Sequence, residues 1–502
     1  MFVQYPKMMR NNTSNHTVII GAGFAGLSAA ITLADKGYRV TVVEKNNEVG
    51  GRARVFKKDG FTFDMGPSWY WMPEVMEKFF SQFGKSTSDY FELKRLDPSY
   101  QVIYGKDDVL SVPANYQALK DAFEEIEPGS AVQLDKFLAE AAYKYEVGIN
   151  EFVHKPGLSI LEFMDLKVMK AASKLDLLQS FAKHVRRFFK SPKLLQLLEF
   201  PVLFLGAVPK NIPALYSMMN YADIKLGTWY PMGGFGKLAE AMHLLALEKG
   251  VEFKTGTVVK SIEVLGKTAT KLITSGGDIE ADLVIGAGDY HHIDQHLLPK
   301  SLRNYSESYW DKRVMAPSCL LYYVGVNKKL PKLQHHNLFF ETDFDTHAQA
   351  IYETQEWPEN PLYYVCCPSK TDASVAPSGM ENLFMLIPVA PGLKDTEEIR
   401  ARYFDELVHR LEDFCGETFK DNIVSKTTYA YTDFVKDYNA FKGNAYGLAN
   451  TLGQTAVLKP SIKNKKVDNL YYTGQLTVPG PGVPPAIISG QVVANYIVKH
   501  QK

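Results

Sequence analysis

The sequence is poor in cysteine and carries no excess of charge. Its 502 residues include four cysteines, and the adjacent pair Cys366 and Cys367 has no metal-type spacing, so free thiols in a reducing cytosol are expected. The 56 basic residues balance 56 acidic ones. Because the chain has no net positive charge to attract the phosphates of a nucleic acid, we predict no nucleic-acid partner. Because His335, His336 and His347 lack partners at a ligand spacing, no metal is predicted.

Long hydrophobic runs are also missing. The nearest approach to a membrane span is residues 17–34, but its three glycines indicate a buried strand, turn and helix instead. Residues 1–15 have no apolar run of signal-peptide length and predict a flexible leader. With 46% hydrophobic and 22% charged residues, the chain as a whole has the composition of a folded protein.

The first well-defined feature is a dinucleotide-binding motif. Residues 16–20 predict a strand, the turn Gly21-Ala-Gly-Phe-Ala-Gly26 follows at once, and residues 27–36 predict a helix. Gly21 allows the tight turn, Gly23 lets the backbone approach a pyrophosphate, and Gly26 permits close packing of helix on strand. The N-terminus of the helix then holds the anion.

A second strand at residues 38–43 completes the βαβ unit and ends at Glu44. The Glu44 carboxylate can accept hydrogen bonds from both ribose hydroxyls of an adenosine, and it would repel a 2′-phosphate. FAD or NAD is therefore favoured over NADP.

The segment Gly50-Gly51-Arg52-Ala53-Arg54 supplies a second stretch of backbone that can approach the pyrophosphate closely, and a cation to pair with it. It resembles the second signature of the flavoprotein amine-oxidase-like group, and that resemblance implies FAD rather than NAD. The alternative is that Arg52 and Arg54 are merely solvated.

Residues 60–68 predict a strand that runs into a Gly66-Pro67 turn, where a backbone amide faces the flavin ring. The next residues, Trp69, Tyr70 and Trp71, are either ordinary core or the wall of an apolar substrate channel.

Residues 117–222 predict mainly helices. Within them, residues 177–204 mix basic side chains, such as Arg186 and Arg187, with aromatic ones, such as Phe181 and Phe188. Basic residues with exposed aromatics suit attachment to an anionic membrane surface. The alternative is a buried helix with a solvated basic face.

The chain then returns to the nucleotide domain through strands near residues 251–262 and 282–288, with the backbone of Val259 beside the adenine. Residues 315–431 alternate strands with a helix at 395–414 and predict the sheet floor of a substrate domain. The fold class expected is α/β, with a Rossmann-type FAD-binding domain, a mixed-sheet substrate domain and a helical membrane-associated region.

The predicted divisions follow from these patterns. They are a leader at 1–15, a first FAD-binding segment with the start of the substrate domain at 16–115, a helical region at 116–225, a second FAD-binding segment at 226–300, a substrate-binding domain at 301–465 and a third FAD-binding segment at 466–502.

Residues 470–490 predict a strand, a glycine-proline loop and a helix in that order. Gly474 ends the strand as phosphate approach requires. Gly482-Val483-Pro484 start a helix whose dipole points at the N1–C2=O edge of a flavin, where a positive end stabilises the anionic reduced form. The structural alternative is a rigid turn without a ligand.

This segment, together with FTFDMGPSWYWMP, GTWYPMGGFGKL and YNAFKGNAYGL, resembles bacterial-type phytoene desaturases from residue 16 to residue 497. The resemblance implies an FAD enzyme that passes hydride from an allylic carbon to flavin N5, converting phytoene to lycopene-type products. A hydroxycarotenoid 3,4-desaturase or a carotenoid isomerase of the same superfamily is the near alternative. An amine or protoporphyrinogen oxidase, or a non-enzymatic prenyl-lipid carrier like the Rab dissociation inhibitors, is more distant.

The resemblance also implies partners: a hydrophobic polyisoprenoid substrate, the cytoplasmic face of a membrane as a peripheral binding surface, and oxygen or quinone as electron acceptor. Asp165 falls where an acid has been suggested in the family, although a helix-surface aspartate is the alternative. The expected FAD-binding residues are Gly21, Gly23, Phe24, Ala25, Gly26, Glu44, Lys45, Gly51, Arg52, Gly66, Pro67, Ser68, Val259, Gly474, Gly482, Val483 and Pro484.

Overall fold

A computed structural model describes residues 15–163, 175–176, 179–206 and 208–501. One layer is a parallel five-stranded sheet, here called the nucleotide sheet. Its strands in spatial order are Leu470–Tyr472, Leu283–Gly286, His16–Ile20, Arg39–Val43 and Glu252–Lys254. Near-continuous Val and Ile runs form these strands because both faces of the sheet are covered.

Three helices cover the nucleotide sheet: Phe24–Asp35, Gly236–Glu248 and Val483–His500. Glycine permits two of the closest approaches. A Cβ on Gly26 would lie 2.1 Å from Gly21 O, and a Cβ on Gly490 would lie 2.3 Å from Ala25 O. The predicted role of Gly26 in close packing is confirmed by this geometry.

The second layer is a mixed seven-stranded sheet, here called the substrate sheet. Only the pairing of His336–Phe339 with Tyr100–Gly105 is parallel, and the helix Glu397–Cys415 packs apolar side chains such as Leu407 against one face. In spatial order the strands are Ile423–Tyr429, Ser318–Val326, Glu381–Val389, Tyr363–Cys366, His336–Phe339, Tyr100–Gly105 and Asp108–Val112.

Smaller elements connect the two sheets. A three-stranded sheet contains Val259–Leu265, Thr268–Thr274 and Ile279–Glu280, one hairpin joins Val55–Lys58 to Phe61–Asp64, and Leu93–Arg95 pairs with Trp229–Pro231. The remaining short helices are Pro73–Ser81, Tyr290–His296, Glu307–Asp311, Phe344–Gln349 and Tyr431–Tyr438.

The helical region contains Tyr116–Ile126, Ser130–Val147, Phe181–Val185, Pro192–Glu199 and Met218–Tyr221. None of the helices in the described ranges is long and apolar enough to cross a membrane.

The basic stretch within this region does not expose the aromatics that membrane attachment would require. Phe181 and Phe189 are at most 1% exposed, and Arg186 pairs with the carboxylate of Glu199. The helices Tyr116–Ile126 and Ser130–Val147 cover the apolar face. The prediction of exposed aromatics among these cations is therefore wrong, and the alternative of a buried apolar face with basic residues on its outer side fits the structure.

Candidate functional site

A single cavity of about 810 Å³ runs from the glycine turn at residue 21 to the helical region. It brings together side chains and backbone from the nucleotide sheet, the Gly66-Pro67 turn and the helix Val483–His500. Of the seventeen expected FAD-binding residues, all except Gly26 line it. Gly26 lies behind the turn, where it serves packing. Asp165 lies outside the described residues.

The adenosine end of the cavity is organised by Glu44, which is 5% exposed. Its Oε2 accepts a hydrogen bond from Ala22 N at 2.8 Å, and its Oε1 accepts one from Asn46 N at 2.9 Å. These amides fix the carboxylate at the tip of its strand and leave acceptor capacity for ribose hydroxyls. Lys45 is turned aside, since its Nζ donates to Lys436 O at 2.5 Å.

The two glycine segments touch each other beside the expected pyrophosphate position. Gly50 N donates to Ala22 O at 2.8 Å. A Cβ on Gly51 would lie 3.1 Å from Gly23 Cα. Both loops therefore present bare backbone to the same part of the cavity.

Arg52 and Arg54 take different positions. Arg52 lines the cavity, donates from Nη2 to Asn444 O at 3.1 Å and holds its guanidinium carbon 5.1 Å from the Tyr438 ring centroid. Arg54 instead forms an ion pair with Asp437 at 2.8 Å. The alternative of simple solvation is thus wrong for both residues, and burial lowers the pKa of Arg52.

At the flavin end, Tyr323 Oη donates to Met65 O at 2.7 Å and holds the start of the Gly66-Pro67 turn. A Cβ on Gly66 would lie 2.5 Å from Arg52 O, so this turn needs glycine at that position. Ser68 Oγ lies 3.0 Å from Tyr364 Oη in a hydrogen bond.

The helix Val483–His500 points its N-terminus into the cavity. Gly482 precedes it with φ of 114°, a left-handed conformation that favours glycine. Pro484 and Pro485 have no N–H, so Val483 carries the only amide hydrogen of the first three helical positions. Gly474 N is already bonded to Ser489 Oγ at 3.0 Å.

Beyond the flavin end the cavity is lined mainly by apolar side chains, with Lys155 as a charged exception, and this part is here called the apolar arm. Trp69 and Trp71 line it, whereas Tyr70 is fully buried in the core, so the two interpretations of this triplet each hold for some of its residues. Other residues of the arm are Met72, Met76, Ile149, Phe152, Val153, Leu215, Tyr216, Met218 and Met219.

A buried polar network supports this wall. Trp71 Nε1 donates to Thr228 Oγ1 at 2.8 Å, and Thr228 Oγ1 lies 3.2 Å from Asp223 Oδ1. Asp223 also accepts from Tyr100 Oη at 2.6 Å. Burial raises the pKa of Asp223 to about 7.

Asp289, which no sequence pattern singled out, lines the cavity three residues after the strand Leu283–Gly286. Its carboxylate accepts from His292 N at 3.0 Å and from Phe441 N at 3.1 Å, and burial raises its pKa. An acid shortly after a buried parallel strand was the available signal. Tyr438, which faces both arginines, gave no such signal.

These residues fit FAD. Arg52 Nε is buried without a hydrogen-bond partner in the described structure, and it lies where the two bare glycine loops meet. A pyrophosphate there would gain a cation and close backbone contact. Glu44 would hold the ribose, and the Val483 amide would meet the pyrimidine edge of the flavin.

Comparisons with known proteins agree with this geometry. The family model described as flavin containing amine oxidoreductase matches residues 24–498. A carotenoid 3,4-desaturase of Haloarcula japonica is 41% identical, over 98% of this chain and 99% of its own length. A zeta-carotene-forming phytoene desaturase of Myxococcus xanthus is 30% identical, over 98% of this chain and 95% of its own length.

Solved structures share the fold. An oxidoreductase from Methanosarcina mazei superposes with a TM-score of 0.63 at 16% identity, covering 96% of this chain and all of that one. A putrescine oxidase variant gives 0.62 at 13% identity, covering 97% of this chain and 99% of that one. Identities this low establish the fold alone. With the family model spanning nearly the whole chain, the protein belongs to the flavin-containing amine oxidoreductase family and is an FAD-dependent oxidoreductase.

Proposed function

We propose that this flavoenzyme is a carotenoid desaturase that forms the 3,4 double bond at the end of a long polyisoprenoid. The apolar arm that opens directly from the flavin end of the cavity carries the proposal, because a hydrocarbon substrate offers nothing for a charged site to bind. The 41% identity to a carotenoid 3,4-desaturase supports this position of the bond. Desaturation of phytoene is the second candidate, supported by the 30% identity to a phytoene desaturase.

Bound FAD supplies a two-electron acceptor for a hydride from an allylic carbon. The protein's role is to hold the carbon chain against that acceptor and to exclude water. Trp69 and Trp71 form the wall nearest the flavin end, and the Val483 amide stabilises negative charge at the pyrimidine edge.

Loss of the hydride leaves a proton to remove from the adjacent carbon. Among the described residues that line the cavity, the acids are Glu44, Asp289 and Asp437, and all three belong to the nucleotide end. Asp165 is therefore kept as the proposed proton acceptor. Asp165→Asn should retain FAD and lose turnover, and an unchanged rate would exclude Asp165 as the proton acceptor.

The membrane surface belongs to the same proposal. Leu158, Ile160 and Leu161 are 38%, 67% and 71% exposed, and Ile160 also lines the cavity. An exposed apolar patch at the mouth of an apolar arm suits insertion into the bilayer that dissolves the substrate. We also propose peripheral attachment at the cytoplasmic face, with oxygen or quinone as the electron acceptor.

The substrate assay presents phytoene, lycopene and a hydroxylated carotenoid separately in liposomes to the FAD-loaded enzyme. We expect new absorption bands at longer wavelength, bleaching of the flavin without an acceptor, and a 3,4-desaturated product by chromatography and mass spectrometry. Products from phytoene alone would favour the second candidate. Oxidation of small amines with no reaction of any carotenoid would refute carotenoid desaturation.

Membrane attachment is tested by liposome flotation of the double variant Ile160→Glu, Leu161→Glu. Full burial of one such side chain contributes about 1.5–3 kcal/mol, so the partition coefficient should fall at least about tenfold. Leu265→Glu is the matched control because Leu265 is 77% exposed at the end of the strand Val259–Leu265, away from the cavity. Equal flotation of the wild type, the double variant and Leu265→Glu would show that the membrane contact lies outside residues 160 and 161.

A further inference from the structure

Three side chains that can bind metal meet where two strands of the substrate sheet pair. His336 lies opposite Cys366 in the antiparallel register, and Cys367 N donates to His335 O at 2.7 Å. One ligand atom from each of His335, His336 and Cys366 lies within 4.8 Å of the other two. All three residues are buried, with exposures of 4%, 0% and 2%.

Each imidazole has one nitrogen in a hydrogen bond and one without. His335 Nδ1 lies 2.7 Å from Thr371 Oγ1, and His336 Nδ1 lies 2.6 Å from Tyr364 Oη. The Nε2 atoms of both rings are buried and have no partner in the described structure. A buried nitrogen without a hydrogen-bond partner destabilises the folded state, so two adjacent ones require an explanation.

This pairing of one bonded and one free nitrogen is the arrangement of a metal-binding histidine. A hydrogen bond at one ring nitrogen orients the ring, and when that nitrogen carries the proton and donates, the other nitrogen offers its lone pair to the metal. The hydroxyls of Thr371 and Tyr364 would serve as these outer partners.

A small void adjoins the cluster. Its volume is about 20 Å³, and His335, Cys366 and Ser68 are among its lining residues. A single water needs about 10–15 Å³. The void can therefore hold one water as a fourth ligand.

We propose that His335, His336 and Cys366 bind a Zn²⁺ ion, completed by one water. Two imidazoles and a thiolate with one open position match the tetrahedral N and S preference of zinc, whereas magnesium and calcium prefer oxygen. On binding, the Cys366 thiol releases its proton to solvent and a zinc–sulfur bond replaces the S–H bond.

The ion would position the wall of the substrate cavity. None of its three ligands lines the large cavity, but the Trp69 ring stacks on His336 with centroids 4.1 Å apart. Tyr364 links His336 to Ser68 through hydrogen bonds of 2.6 and 3.0 Å. Ser68 and Trp69 both face the cavity, so a fixed His336 ring fixes them.

Elemental analysis of the FAD-loaded enzyme, purified from zinc-supplemented cells, tests the site. We expect about one zinc ion per chain in the wild type and at least about tenfold less in Cys366→Ser and His335→Asn. Cys415→Ser is the matched control, because Cys415 is also a buried free cysteine and lies on the helix Glu397–Cys415. Wild-type protein without zinc, or Cys366→Ser with full zinc, would overturn the proposal.

If the variants fail to fold, X-ray absorption spectroscopy of the wild-type holoenzyme tests the proposed zinc ligands directly. We expect one sulfur at about 2.3 Å and two nitrogens at about 2.0–2.1 Å from zinc. A coordination shell without sulfur would overturn the proposal.

Discussion

Replacing Asp223 by Asn tests the polar network behind the cavity wall through its response to pH. Asp223 is 3% exposed, and burial raises its pKa from 3.8 to about 7. The folded protein therefore binds this proton more tightly than the unfolded chain does. The resulting stabilisation is complete below about pH 4 and is lost as the pH rises through about 7.

The magnitude follows from the two pKa values. Their difference, about 7 minus 3.8, is about 3 pH units, and each unit corresponds to about 1.4 kcal/mol. Ionisation of Asp223 thus costs the folded state up to about 4 kcal/mol. Asn keeps one side-chain oxygen to accept from Tyr100 Oη and removes the ionisation.

Thermal unfolding of the FAD-loaded protein between about pH 5 and pH 8.5 is the assay. Between about pH 5 and the folded pKa of about 7 lie about 2 pH units, which correspond to about 3 kcal/mol. At about 2 °C or less per kcal/mol for a chain of this size, the midpoint of Asp223→Asn should gain up to about 6 °C on the wild type over this range. Asp107→Asn, at an exposed position of the Tyr100–Val112 hairpin, is the control. Parallel midpoint curves for wild type and Asp223→Asn would refute the buried-proton argument.

Three further changes test the cofactor and substrate sites. Glu44→Gln should weaken FAD binding by about tenfold or more, because a charge-assisted hydrogen bond contributes about 1.5–3 kcal/mol. The control Glu252→Gln, on the neighbouring strand, should leave FAD affinity unchanged. Equal FAD affinities of the two variants by titration would exclude Glu44 from the site. Trp71→Ala, with FAD still bound, should change the position or number of the double bonds introduced, measured by chromatography and mass spectrometry. An unchanged product pattern at an unchanged rate would place the channel elsewhere. Gly490→Ala should lower the unfolding temperature and the FAD content because its Cβ would lie 2.3 Å from Ala25 O. Gly453→Ala is the control, because no atom lies within 4 Å of a Cβ at that position. Equal unfolding temperatures and FAD contents of the two variants would contradict the tight helix packing.

Local sequence patterns predicted the cofactor-binding part of the cavity well. The turn at Gly21, the acid Glu44 and the helix start at Val483 each lie within one strand-turn-helix unit, where spacing alone sets their geometry. Sixteen of the residues expected there line one cavity. Spacing alone predicted a dinucleotide, either FAD or NAD, and only the resemblance of the Gly50–Arg54 segment to a flavoprotein signature favoured FAD.

The features that depend on distant segments were not predictable. His336 and Cys366 are 30 positions apart, and only the register of two strands places them side by side. The Trp71, Thr228 and Asp223 network likewise joins remote positions. For the basic stretch, the sequence could not show that two preceding helices cover its apolar face, because amphipathicity does not identify what a face contacts.

The strand order of the nucleotide sheet also determines when, during translation, the cofactor site can form. Its central strand ends at Ile20, but the edge strand begins at Leu470. At about 5–20 residues per second, roughly 20–90 s of translation separate the two. Throughout that interval the strand Leu283–Gly286, once made, has no neighbour on its outer side, and the nascent chain cannot form the flavin end of its cofactor site. FAD can therefore load fully only after nearly the whole chain has left the ribosome, and a truncation before Leu470 would yield an intact glycine motif that retains little cofactor.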